Sequence, residues 1–272
     1  VVLMPRRGFM LNRETEKLYY SSQHLTSCVA RIVRIGQDYI ELDKTIAFPE
    51  GGGQEADHGE ITSGDLKIRF FHAKKMYGMP AHLPNLPDIT VGGVIWHMVT
   101  PEDQPRLKEL QQGQEVIVQI DARRRAWLAL SHTASHLVYL GIGAHRPDAI
   151  GATLGCHIKI DAARFDFSVA KRFQIDEIDA ISATANELIT RRLPIEVFSD
   201  SQYPDARYWR CDGQTIPCGG LHLSTTTPIV KLTVRRKSLG AGKERVSCEF
   251  PQATIDLTDY GQTNHSNPSS YR

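Results

Sequence analysis

Apolar and polar positions follow two different periods along this chain. Over the first third they alternate. The segment 27–43 alternates around Val29, Arg31 and Val33, breaks at Gly36-Gln37-Asp38 and resumes from Tyr39 to Leu42, which predicts a hairpin. Further strands are predicted over 66–71, 91–99 and 115–121, the last because Val116, Val118 and Ile120 alternate with Glu115 and Gln119. Short strands broken by Gly and Pro predict a small antiparallel β-barrel.

The period changes after residue 122. Residues 123–140 contain no Gly or Pro, and Trp127, Leu128, Leu130, Ala134, Leu137 and Val138 recur at helical spacing. This helix is predicted to stop at Gly141 and Gly143. A second helix is predicted over 175–192, with Ile178, Ile181, Ala185 and Leu188 on one face and Pro194 just beyond its end. Strand patterns occur at 153–160, 164–167, 195–198, 230–236 and 245–250. The predicted fold class is α+β. An N-terminal antiparallel β-barrel domain spans residues 1–122, a domain of helices packed on an antiparallel sheet spans 123–250, and a polar, aperiodic, mobile tail spans 251–272. Residues 1–9 read as a leader ahead of a helix-like run from Leu11, and no function is assigned to them. No internal repeat is found.

Composition narrows the class. The chain has 272 residues, 41% apolar and 23% charged, which excludes global disorder and fits an ordinary soluble globule. No stretch approaches the ~18 apolar residues of a membrane span, and the N-terminus lacks the apolar run of a secretory signal. The expected location is cytoplasmic, with no membrane partner. Thirty-two basic against thirty-one acidic side chains exclude a broad polyanion-binding field and leave local basic clusters open. Five widely spaced cysteines favour reduced thiols or metal ligation over disulfides.

The candidate chemistry begins with His132 and His136, four residues apart in Ser131-His132-Thr133-Ala134-Ser135-His136, so that both imidazoles project from one helical face. About 0.4 such pairs arise by chance among this many histidines, so the pair alone is weak. A thermolysin-like reading fails, because Thr133 stands where that motif needs Glu. Farther along lies Pro217-Cys218-Gly219-Gly220-Leu221-His222. A thiolate and an imidazole across a Gly-Gly turn can bend onto one centre, and His132, His136, Cys218 and His222 form an N/S set suited to tetrahedral Zn²⁺. The bland alternative is a pair of packed or solvated helix histidines and a buried thiol. Cys211 competes for the thiolate role but lacks the adjacent Gly-Gly and paired His. A third element is Phe48-Pro49-Glu50-Gly51-Gly52-Gly53-Gln54, followed by Asp57-His58-Gly59; its glycines let backbone approach a ligand closely. Neither it nor Gly240-Ala241-Gly242-Lys243-Glu244 is a Walker loop.

Together these segments resemble the alanyl-tRNA editing family, the AlaX-type proteins related to the editing domain of alanyl-tRNA synthetase. Phe48 to Gln54 is similar to that family's glycine-rich motif, His132 to Leu137 to its HTA-x-H-L helix, Arg164-Phe165-Asp166-Phe167 to its R-F-D-F strand, and Cys218 to His222 to its C-G-G-x-H turn. The motifs stand in the family's order across roughly residues 20–250. Leu221 departs from the Thr usual in the family, which bears on hydrogen bonding around the ligands. The resemblance implies a barrel joined to a zinc-bearing editing domain. It further implies hydrolysis of the ester joining serine or glycine to alanine tRNA, carried out in trans because the adenylate-forming domain has no room in this length.

On this reading His132, His136 and Cys218 are firm ligands, and His222 is the fourth ligand or a nearby alternative. All four at once close the coordination shell. Gln54 and Thr133 are candidates for recognising a seryl hydroxyl, and either can instead hold the backbone. Asp57 and Asp166 are candidates for orienting water or a histidine. Arg235, Arg236, Lys237, Lys243 and Arg245 flank a Gly240-Ala241-Gly242 turn and are candidates for gripping tRNA phosphates, though such clusters also serve as solvated faces. Two competing readings are a zinc-stabilised RNA-binding module without hydrolytic activity and a metallohydrolase of small esters.

Overall fold

The computed structural model describes residues 13–83 and 89–261. Six antiparallel strands close a barrel: β1 (Ser27–Ile35), β2 (Tyr39–Leu42), β3 (Gly59–Ser63), β4 (Leu66–Met76), β5 (Val94–Val99) and β6 (Glu115–Ile120), in the order β6-β1-β2-β5-β4-β3. Alternation explains the inward face. Val116, Val118 and Ile120 are buried, while Ile117 between them is 47% exposed. They meet Ile32, Ile40, Ile61 and Ile68 in the barrel interior.

Strand β3 was not expected, because Gly-Glu-Ile-Thr-Ser carries one apolar residue. It closes the barrel by pairing with β6, and a side chain on Gly59 would run into the Gln119 backbone. Strand β5 begins later than the alternation suggests, since Gly92 and Gly93 take φ of 65° and 80°.

The second half begins with α1 (Ala122–His145), whose N-terminus is capped by Asp121 accepting from Arg124 N at 3.0 Å. The helix does not stop at Gly141 and Gly143. Gly141 is a packing site, where an added Cβ would lie 2.8 Å from the Ile181 carbonyl oxygen of α2 (Ile175–Thr190). Helix α2 starts where Glu177 reaches back to the Gln174 N–H at 2.7 Å. The two helices cover an antiparallel sheet of β7 (Thr153–Ile158), β8 (Ala162–Ser168), β12 (Thr233–Gly240) and β13 (Lys243–Glu249), in the order β7-β8-β13-β12. A second sheet of β9 (Glu196–Ser199), β10 (Arg207–Cys211) and β11 (Gln214–Pro217) completes this half. The fold is α+β, as the patterns predict.

Two expectations fail locally. Residues 230–232 are not strand, because a 3-10 turn at Thr227–Ile229 runs into Val230 at φ 60°. The β10–β11 hairpin was missed, although Asp212-Gly213 at φ 50° and 74° is a strong turn signal. The core here joins Leu137, Phe165, Phe167, Ile181, Trp209 and Val246. Removing the fully buried Phe167 ring costs about 3–5 kcal/mol.

Of the expected tail, residues 251–261 are described, and they are without helix or strand but contact the rest of the chain. Ala253 and Ile255 pack on the core, Thr254 N donates to the Pro228 carbonyl at 2.9 Å, and Tyr260 meets the His24 ring edge-on. Residues 262–272 and the expected leader lie outside the described residues, and of the helix-like run from Leu11 only Leu18–Ser21 is helical among those described. No helix among the described residues is long and apolar enough to cross a membrane.

Candidate metal centre

Helix α1 carries His132 and His136 one turn apart, both buried. Strand β11 ends at Pro217, and the chain then turns through Cys218 toward His222, with the Cys218 N–H donating to the Arg207 carbonyl at 2.8 Å. Glycine is required in this turn. A Cβ on Gly220 would run into the His132 ring and lie 3.1 Å from Gln54 Oε1. The chain is thereby allowed to press against α1, although His136 and Cys218 are 82 residues apart.

One donor atom from each of His132, His136, Cys218 and His222 lies within 4.8 Å of the other three. Cys218 Sγ is 3.4 Å from His132 Nε2 and 3.3 Å from His222 Nε2. Tetrahedral zinc with one sulfur and three nitrogen ligands sets its donors about 3.3–3.6 Å apart; the two Cys218 distances match that spacing, and the donor set as a whole lies within 4.8 Å.

The ring orientations are fixed from behind. His132 Nδ1 is 2.7 Å from Gln54 Oε1, which also accepts from Leu221 N at 3.1 Å. An amide oxygen only accepts, so Nδ1 carries the proton and Nε2 presents its lone pair to the cluster. Thr133 Oγ1 donates to the Ala129 carbonyl at 2.9 Å and accepts from Leu223 N at 3.0 Å. Its proton is therefore spent, and His222 Nδ1, 3.4 Å away, faces it as a donor. His136 Nδ1 is buried with no hydrogen-bond partner, which is costly for a polar atom unless a ligand engages the ring.

Electrostatics agrees with this arrangement. Desolvation pushes the His132 pKa down to about 3 and holds those of His136 and His222 well below the ordinary value, with the neighbouring imidazoles adding to the effect. Burial pushes the Cys218 thiol up to about 12, opposed by the Gly220 N–H. Four neutral donors thus face one another. A dication is the species that turns such a thiol into a thiolate.

His132, His136 and Cys218 form part of the wall of a cleft of about 930 Å³ that also takes in Tyr20, Gly51, Gly52, Tyr139 and Arg207. Gly53, at φ 83°, abuts Cys156, and the loop is tied to β7 by Ile158 N to Gly53 O at 2.8 Å. Leu221 turns into a small apolar seam with Tyr19, Phe48 and Ala129. Leu221 thus contributes an apolar side chain to the seam, while its N–H donates to Gln54 Oε1 at 3.1 Å.

Other expected site residues lie elsewhere. Asp57 is fully buried; it accepts from Phe48 N at 2.7 Å and pairs with the Arg125 guanidinium, which also donates to the Ile46 carbonyl. It fastens the glycine-rich segment to α1 and is not placed to orient water. Asp166 pairs with Arg164 and Arg245 on the sheet face. Gln54 Oε1 is taken up by His132 and Leu221 N and the Thr133 proton by the Ala129 carbonyl, whereas Gln54 Nε2 is a buried donor without a partner among the described residues. Cys211 is buried in the core away from the cluster.

The five basic candidates sit on β12 and β13, and none lines the cleft. Arg236 pairs with Glu244, Arg245 with Asp166, and Arg235 with Glu249, whereas Lys237 and Lys243 form no ion pair among the described residues. The cations that do line the cleft are Lys75 and Arg207. The Asp212-Gly213 turn was the one local signal that could have placed Arg207 beside Cys218.

No family model matches the chain. It is 30% identical over 226 residues to the alanine-tRNA ligase of Ignicoccus hospitalis, covering 80% of this chain and 21% of that protein. With the enzyme of Methanothermobacter thermautotrophicus it shares 26% identity over 263 residues, 89% of this chain and 27% of that protein. The Lactobacillus johnsonii enzyme is 28% identical over 243 residues, 80% of this chain and 25% of that protein. The chain spans about a quarter of the length of these relatives.

Proposed function

Starting from this homology to one segment of the alanine-tRNA ligases, we propose that the chain is a zinc-dependent aminoacyl-tRNA deacylase that acts in trans on seryl- or glycyl-alanine tRNA. The observation that carries this reading is the convergence of His132, His136, Cys218 and His222 on one point in the wall of a cleft. His132, His136, Cys218 and His222 would hold the ion; with all four bound the shell is closed, so zinc would polarise or grip a polar group of the substrate by taking a fifth ligand.

An aminoacyl ester is already activated, so the chain's contribution is positioning and charge stabilisation. Gln54 and Thr133 hold the His132 and His222 rings in register, so they act as positioning residues. The glycine-rich segment at Gly51 and Gly52 and the Tyr139 ring form further parts of the cleft wall. The cleft's size suits a terminal adenosine with its aminoacyl group.

The test is a deacylation panel using the metal-loaded chain alone, with seryl-, glycyl- and alanyl-tRNA and a seryl-adenosine mimic. Hydrolysis of the mischarged tRNAs, with the correctly charged one spared, is expected. Binding without turnover would replace the proposal by a zinc-stabilised RNA-binding module. Equal turnover of the mimic and the tRNA would replace it by a small-ester hydrolase.

A further inference from the structure

We propose that Arg207 is the phosphate anchor of this cleft, binding the phosphodiester that joins the terminal adenosine of a charged RNA end to the nucleotide before it. This rests on the deacylase reading and adds the recognition element that the basic β12–β13 hairpin does not supply, since none of that hairpin's candidate residues lines the cleft.

Position comes first. Arg207 opens β10, and its carbonyl accepts the Cys218 N–H at 2.8 Å, so its backbone is tied to a cluster residue. The guanidinium lies over the Tyr20 ring, 4.6 Å from its centroid, in the cleft wall. The Tyr20 hydroxyl in turn borders Gly219, where an added Cβ would sit 3.4 Å from it. The ring supports the guanidinium, and Nη1 makes no hydrogen bond among the described residues and is left for a ligand.

Charge comes next. Among the described residues Arg207 Nε is buried without a partner, and the side chain's one hydrogen bond, from Nη2 to the Tyr20 carbonyl, is long at 3.5 Å. The nearby carboxylate is already occupied. Asp205 accepts from Lys17 at 2.7 Å, from Lys75 at 3.2 Å and from Gly92 N at 2.8 Å. Lys75 also donates to the Thr90 carbonyl, which leaves Arg207 as the uncommitted cation among the described residues of this wall.

The missing partner is therefore an anion, and the chemistry selects which. The aminoacyl ester has no anionic oxygen, and its amino group is cationic. The permanent negative charge nearest the terminal adenosine is the phosphodiester, whose two non-bridging oxygens match a planar guanidinium fork.

The experiment is calorimetric titration of the metal-loaded protein with cytidylyl-(3′→5′)-adenosine and, separately, with adenosine. The wild type is expected to bind the dinucleotide more tightly. Arg207→Gln is expected to weaken the dinucleotide about ten- to a hundredfold while leaving adenosine affinity, metal content and melting temperature unchanged. Arg207→Lys is expected to recover part of the loss, since charge returns without the fork. A wild type that does not distinguish the two ligands overturns the proposal, as does an Arg207→Gln variant that keeps dinucleotide affinity or loses both affinities equally. Because no turnover is involved, these outcomes decide the anchor whether or not seryl-tRNA is hydrolysed.

Discussion

In the barrel, His97 is fully buried, with Nδ1 3.1 Å from the Ile40 carbonyl oxygen and Nε2 2.8 Å from Thr45 Oγ1. In the second half, His136 is almost as deeply buried, yet its Nδ1 has no partner and its ring faces His132, His222 and the side of Trp209. Burial is shared, and satisfaction is not. His97 meets its polar needs within the protein, as does the Asp57–Arg125 pair that joins the glycine-rich segment to α1, whereas the cluster gathers three neutral imidazoles and the neutral Cys218 thiol around a His136 Nδ1 that has no partner among the described residues. Buried polar groups are costly without partners, so His136 is the ring of the cluster with the most to gain from the proposed ion.

The largest way to break this contrast is at the ligands. Cys218→Ala or His136→Ala is expected to lower metal content from about one ion per chain to a small fraction of that after dialysis against a chelator, measured by elemental analysis. His97→Gln, equally buried, is expected to keep its metal. A Cys218→Ala protein that retains a full ion would erase the distinction between the two centres.

Next in size is the satisfied ion pair. Arg125→Met strands a buried Asp57 carboxylate, and urea unfolding is expected to show a loss of about 3–5 kcal/mol with metal content preserved. A loss under about 1 kcal/mol would show that the pair does not fasten the glycine-rich segment to α1.

His97 sharpens the comparison by pH. Burial pushes its pKa down to about 4, against an ordinary value near 6.5, with the Ile40 carbonyl opposing. On acidification the unfolded chain takes up the proton first. The stability contributed is therefore full above pH ~6.5 and is lost progressively as pH falls toward ~4, by about 3 kcal/mol in all. Stability curves of the wild type and His97→Gln should converge across that window; parallel curves would contradict the neutral, satisfied imidazole.

The smallest effect belongs to the exposed hairpin. Lys237→Gln with Lys243→Gln is expected to change stability by less than about 0.5 kcal/mol and tRNA affinity only slightly, because these side chains lie outside the cleft. A large loss of affinity in filter binding would return the RNA contact to β12 and β13.

What the chain reveals before folding follows the range of each interaction. Val116, Val118 and Ile120 announce β6 because alternation is local, and His132 and His136 share a face because four residues make a helical turn. Strand β3 escaped notice because its single apolar residue gains meaning only from barrel closure. Gly141 reads as a stop signal, yet its role is to admit Ile181 of another helix. Asp57 has the composition of a catalytic carboxylate, and only the arrival of Arg125, 68 residues on, makes it a fastener. Arg207 and Tyr20 are 187 residues apart, so their stacking leaves no trace in any local pattern.

X-ray absorption at the metal edge of the purified protein tests the central idea most directly. Three nitrogen ligands at about 2.0–2.1 Å and one sulfur at about 2.3 Å are expected, with the sulfur lost in Cys218→Ala. A shell of light atoms without sulfur in the wild-type protein would contradict the assignment of His132, His136, Cys218 and His222 to a single ion.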